Sequence, residues 1–317
     1  MSHNDSATLQ RPLVLPLPGT GVWWGLLGVL AFSFTVPFTR HAVEGGLSPL
    51  FVGCGRAVVA AGLAGVALAA TRQRVPTRRQ WARLAVVAGG VVAGFPVLTS
   101  FALTSASASH SAVVIALLPA ATAVMAVVRG HERPPTAFWV LAGCGAAAAV
   151  AFASLQGAGL GGLHWSDVLL FGAVLAAAVG YAEGGLLARE LGAWQTVSWA
   201  LVLASPAMTV GAVAAAVHQP PTAGASEWAA FGYLAAVSMY LGFFAWYHGL
   251  AIGPMTRVSQ VQLVQPVLTI TWAALLLGEQ LTWSTVLGGA AVVACAGAAV
   301  RVRLDGGRPA RSAVRRR

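Results

Sequence analysis

The fold class this sequence predicts is an all-α membrane protein, with ten transmembrane helices in two inverted-topology five-helix repeats. Three observations carry that reading. Of the 317 residues, 57% are hydrophobic and 9% charged, against about 25% charged in soluble domains, and the mean hydropathy is +0.75. The apolar residues form long runs between short polar breaks, each close to the roughly 20 residues that a spanning helix needs. They lack the alternation of a membrane barrel, and with no water in the bilayer core such runs span only as helices. Finally, the two halves of the chain repeat one another at a fixed offset of 147 residues.

Residues 1–20 hold one arginine, three prolines and no cleavable leader pattern, so they read as a cytoplasmic tail and the first apolar run as a retained span. Ten runs follow: 21–39, 49–70, 81–103, 109–128, 136–153, 166–187, 196–217, 228–251, 258–277 and 283–300. Residues 21–155 make the first repeat, 156–302 the second, and 303–317 a basic cytoplasmic tail. The breaks alternate in charge. Arg72, Arg74, Arg78 and Arg79 lie between the second and third runs, Arg129 and Arg133 between the fourth and fifth, Arg189 after the sixth and Arg257 after the eighth. The breaks after runs three, five, seven and nine carry no arginine, and the first carries only Arg40. By the positive-inside rule both termini face the cytoplasm, which accounts for the +10 net charge without a nucleic-acid partner. Cys54, Cys144 and Cys295 all fall inside apolar runs and read as small packing residues, neither a disulfide framework nor a metal cluster.

The repeat pairs Pro119 with Pro266, Glu132 with Glu279 and Trp81 with Trp228, and in the same register Leu103 with Leu250, Val114 with Val261, Thr122 with Thr269 and Ala126 with Ala273. Trp (11), Pro (16) and acidic residues (9) are scarce in the chain, so several such matches in one register argue for duplication. An odd number of spans per copy makes the second enter the membrane from the opposite side, the arrangement of transporters that alternate access about a midplane site.

Three stretches carry a family resemblance: SQVQLVQPVLTITWAALLLGEQLTWSTVLGGAAV from Ser259, HSAVVIALLPAATAVMAVVRGHERPPTAFWVLAGCGAAA from His110, and PLFVGCGRAVVAAGLAG from Pro49. With a midspan proline, a Gly-Glu pair, a glycine-rich last span and an arginine-bearing second helix, the chain resembles the EamA-type members of the drug/metabolite transporter superfamily. The resemblance implies a ten-helix exporter of small metabolites. It leaves the substrate open among amino acids, nucleosides, drugs and related compounds, and no cofactor is expected.

A charged side chain in a span costs about 2.5–3.5 kcal/mol on insertion scales, and two demand explanation. Arg56 follows Pro49 by seven residues, about 10 Å at ~1.5 Å per residue; it either binds a substrate carboxylate or caps backbone carbonyls. Glu183 follows Ser166 by seventeen, roughly 25 Å; it is a substrate-binding and proton-coupling candidate, or else snorkels toward Arg189. Pro119 and Pro266 each remove a helix hydrogen bond near midmembrane, freeing carbonyls where the repeats meet. Ser259, Gln262, Gln265 and Thr269 share one helix face that should avoid lipid, whereas their first-half counterparts Ala112, Ile115, Leu118 and Thr122 are largely apolar. Tyr240 lies too deep for an interfacial belt and can stack on a substrate or simply pack. His110 and His248 read as interfacial, Glu132 and Glu279 as structural, and Gly143, Gly145, Gly288 and Gly289 as sites of close helix approach.

No phosphate loop, nucleophile elbow or catalytic spacing is present in the sequence. The expectation is a non-enzymatic secondary transporter of the plasma membrane, exporting a small organic metabolite. Its expected partners are that small-molecule substrate, the lipid bilayer, protons and a second copy in a homodimer. The alternatives are an uncoupled uniporter or channel, and a non-transporting scaffold or intramembrane enzyme.

Overall fold

A computed structural model describes residues 20–130, 135–156, 164–252, 258 and 261–306. Among the described residues nine helices are long and apolar enough to cross a membrane: α1 (Thr20–Glu44), α2 (Pro49–Ala70), α3 (Arg78–Ala102), α4 (Ala108–Arg129), α5 (Thr136–Leu155), α6 (Trp165–Leu191), α7 (Ala193–His218), α8 (Ala225–Ile252) and, last in the chain, α10 (Trp283–Val302). Between α8 and α10 lies a shorter apolar helix, α9 (Gln262–Leu277). The chain is thus an all-helical, multi-pass membrane protein. Ser259 and Glu132 lie outside the described residues.

Local sequence explains where the helices begin and end. Ser48 caps α2 by accepting from the Phe51 amide at 3.2 Å, with Pro49 at the first helical position, where its missing N–H costs nothing. Thr77 and Gln80 open α3 as a capping box, the Thr77 amide donating to Gln80 Oε1 at 2.9 Å. Ser107 caps α4 through the His110 amide at 3.1 Å. Gly278, in the left-handed region at φ +66°, stops α9 where a Cβ would be strained.

The contact pattern is itself twofold. α2 packs on α7, α4 on α9 and α5 on α10, each pair being equivalent helices of the two halves, while the α1–α8 contact is matched by α6–α3. Small residues make these approaches possible, as expected where lipid offers no hydrophobic drive between helices. A Cβ on Gly249 of α8 would fall 2.7 Å from the Gly21 carbonyl oxygen of α1, and one on Gly90 of α3 would fall 2.9 Å from Gly180 Cα of α6. Gly145 of α5 faces Cys295 on α10, and Gly288 of α10 faces Phe152 on α5, whereas Gly143 faces open space.

Five helices depart from regular winding, and these departures shape the centre. Pro37 in α1 cannot donate to the Ser33 carbonyl, which instead accepts from Thr269 Oγ1 of α9 at 3.0 Å. α3 and α8 widen into π-helical turns at Ala88–Gly94 and Leu234–Leu241. α4 breaks around Leu117 just before Pro119, and α9 enters through a 3₁₀ turn at Gln262–Val264 just before Pro266. Such irregularities concentrate at functional sites.

Candidate functional site

Two adjoining cavities occupy the place where these irregular segments meet. The first is walled by Phe32, Thr35, Val36, Arg56, Val91, Phe95, Pro96, Leu118, Ala177, Tyr181, Ser238, Met239, Phe243 and Gln265. The second is bounded by Val36, Ala112, Ile115, Leu118, Pro119, Gln262, Gln265, Pro266 and Thr269. Val36, Leu118 and Gln265 belong to both.

At the offset of 147, Val91 and Ser238, Pro96 and Phe243, and Leu118 and Gln265 are equivalent residues, and both members of each pair wall the first cavity. Ile115 with Gln262 and Pro119 with Pro266 do the same in the second. The cavities therefore lie on the pseudo-twofold axis relating the repeats. Their chemistry is not symmetric: Val91, Leu118 and Ile115 of the first repeat face Ser238, Gln265 and Gln262 of the second.

The structure brings Arg56, Gln262, Gln265, Pro119 and Pro266 together around this centre. Arg56 is 1% exposed, and its Nε and Nη2 have no hydrogen-bond partner; neither do Gln262 Nε2 and Gln265 Oε1. By contrast, Thr35 and Ser238 satisfy each other across the α1–α8 contact at 2.7 Å. Tyr240 is outside both walls, its hydroxyl sharing a hydrogen bond with Ser198 of α7 at 3.1 Å. Glu183 is also outside them, in an ion cluster at the end of the bundle that carries the arginine-rich breaks. Its carboxylate oxygens pair with Arg83 of α3 and Arg129 of α4, and Arg83 reaches Glu190 as well, at 2.5 Å. Glu183 thus ties α3, α4 and α6 together, so the two charges singled out in the sequence do not meet.

At the opposite end, Arg40 Nη1 donates to the Leu103 and Ala106 carbonyls at 2.9 and 2.6 Å, binding α1 to the α3–α4 turn. There the Glu279 carboxylate accepts from the Ala108 and Ser109 amides at 2.7 and 2.8 Å, capping α4 from the end of α9. His110 Nε2 meets the buried Asp167 carboxylate at 2.6 Å, tying α4 to α6.

Several of these residues had escaped the sequence reading. Arg83 lies inside the third apolar run and could have been found as a third charge in a span. Tyr181 and the α1 residues Phe32, Thr35 and Val36 carry no local signal, since only tertiary packing brings α1 to the centre. Asp167 stands 57 residues from His110, a separation that corresponds to no motif.

Comparison with known proteins agrees with this architecture. The sequence profile of the EamA-like transporter family matches twice, over residues 19–154 and 164–300. An "Uncharacterized transporter YdeK" of Bacillus subtilis (strain 168) is 41% identical over 277 residues, covering 87% of this chain and 96% of that one. A solved protein, described only as a crystal structure of a protein, superimposes with a TM-score of 0.61 at 20% identity over 92% of this chain and all of its own, a likeness of fold. A double match to the family profile, on a chain whose helices pair as two copies of one unit, places this protein in the EamA-like transporter family.

Proposed function

We propose that the chain is a secondary transporter of the cell membrane that moves a small organic metabolite outward by alternating access about the central cavities. The observation that carries this reading is Arg56, a guanidinium buried on the repeat axis with two of its nitrogens unpartnered. Leaving such a charge unpaired inside a membrane protein costs several kcal/mol, by order of magnitude. A fold that retains one has a use for it, and a substrate is the partner that comes and goes.

Arg56, Gln262, Gln265, Pro119 and Pro266 then form the substrate face. Ser259, outside the described residues, belongs to the glutamine face by sequence register alone, and Tyr240 pairs with Ser198 of α7. The two polar clusters lie at opposite ends of the bundle, as gates would. With the arginine-rich end in the cytoplasm, the Glu183 cluster latches the inner side, and Arg40 with Glu279 ties the outer. Proton uptake on Glu183 would release Arg83 and Arg129 together, which makes this carboxylate the coupling group. The sequence carries no nucleotide-binding motif.

Purified protein in liposomes, tested by counterflow with small carboxylates, amino acids and aromatic amines, checks the proposal. Saturable exchange that is lost in Arg56→Ala and driven by an imposed pH gradient is expected. Exchange that ignores the gradient would replace the coupled transporter with a uniporter, and conductance without counterflow would replace it with a channel.

A further inference from the structure

We infer that the central site selects organic monoanions, molecules bearing one carboxylate and no ammonium, over zwitterions and cations. The inference rests on the transporter reading and narrows its substrate. Among the described residues walling the two cavities, Arg56 is the single one with a formal charge, and it is positive. It forms no ion pair among the described residues, while Glu183, the nearest carboxylate along α6 to the wall residue Tyr181, is engaged by two other arginines.

The remaining wall is apolar and aromatic, with Phe32, Phe95 and Phe243 in the first cavity, or neutral and polar, with Gln262 and Gln265 in the second. A carboxylate suits the free Nε and Nη2 of Arg56, which form the forked donor pair that carboxylates accept. An apolar body suits the phenylalanines. A neutral polar group suits Gln265 Oε1 and Gln262 Nε2, both buried and unpartnered.

An ammonium group fits poorly. It would share a low-dielectric chamber with Arg56 and find no counter-charge, and like charges so placed are strongly disfavoured. Two acceptors compete as anchors, the unpartnered Gln265 Oε1 and the Ile115 carbonyl, which Pro119 leaves without its helical donor; a zwitterion seated on them is the rival outcome.

The test uses two matched triplets on full-length protein in nanodiscs, with binding measured by calorimetry: phenylacetate, phenylalanine and phenethylamine, then 4-methylpentanoate, leucine and 3-methylbutylamine. At least one acid is expected to bind tenfold or more tighter than its zwitterion and its amine, with that preference abolished in Arg56→Gln and partly kept in Arg56→Lys. Equal or tighter binding of the zwitterion or amine overturns the inference. So does a preference that survives Arg56→Gln, or the absence of binding by both acids. Selectivity within the wild type is informative even if Arg56→Gln does not fold. Counterflow of the same compounds separates the two readings: flux of zwitterions refutes the charge class and leaves transport standing, whereas acid binding without flux refutes transport and leaves the charge class.

Discussion

Replacing Glu183 with glutamine removes the one negative charge that α3, α4 and α6 share at the arginine-rich end. Its side chain is 2% exposed, against 18% for Arg83 and 50% for Arg129. Breaking a fully buried pair costs about 3–5 kcal/mol, but here the loss is smaller, because Arg83 keeps Glu190 and Arg129 is half in solvent. The charged hydrogen bonds forfeited are worth about 1.5–3 kcal/mol. If they exist only while this end is closed, the open state gains roughly ten- to a hundredfold in population, at 1.4 kcal/mol per factor of ten.

The assay is thiol accessibility. In a background with Cys54, Cys144 and Cys295 replaced, Met239→Cys places a reporter on the cavity wall. A membrane-impermeant reagent should label it at least tenfold faster in Glu183→Gln than in the parent when applied from the Arg83 side, with no increase from the other. Unchanged labelling from the Arg83 side, or an equal rise from both sides, would refute the latch.

Two further outcomes follow from the packing. Glu279→Ala strips the anionic cap from two α4 amides 2.7 and 2.8 Å away; a loss of about 0.5–2 kcal/mol is expected, read as a lower unfolding temperature in detergent, with Glu279→Gln intermediate. Gly249→Val drives a side chain into the α1 backbone at Gly21, an overpacking of about 1–3 kcal/mol or more, visible as a broadened elution profile, whereas the same change at Gly143, which faces open space, should be tolerated.

Much of the architecture was legible in the sequence because its cause is one-dimensional. Lipid demands a run of apolar residues about 20 long, and the 147-residue register linking Pro119 to Pro266 and Trp81 to Trp228 marks the duplication. The glutamine face of α9 was legible for the same reason, since an amide at helical spacing in an apolar run has nowhere to go but inward. The π-helical turns were not. Ala88–Gly94 and residues 235–241 adopt matching winding at the repeat offset yet share one identical residue, Ala88 with Ala235. Their hydrogen-bond register is set by the helices packed around them, and the same holds for the partners of Glu183, which lie 100 and 54 residues away on α3 and α4.

Gln265 offers a sharper separation of folding from function. Its Oε1 is buried without a partner, and its equivalent in the first repeat is Leu118, which walls the same two cavities. An unsatisfied buried polar atom costs about 1–3 kcal/mol, and leucine is close to glutamine in volume, so Gln265→Leu should leave the fold intact and raise its stability by up to about that amount. The second repeat would then present at this position what the first already does. If the amide is kept for a ligand, the same variant should lose substrate flux by about tenfold or more, the loss expected when a hydrogen bond made only to substrate is removed at ~1.4 kcal/mol. A variant that is both less active and less stable would show that the amide serves the fold through a partner formed in another conformation. Undiminished flux would remove Gln265 from the substrate face. Only stability gained together with flux lost fits a site held open at the expense of its own satisfaction, the trade that functional positions make.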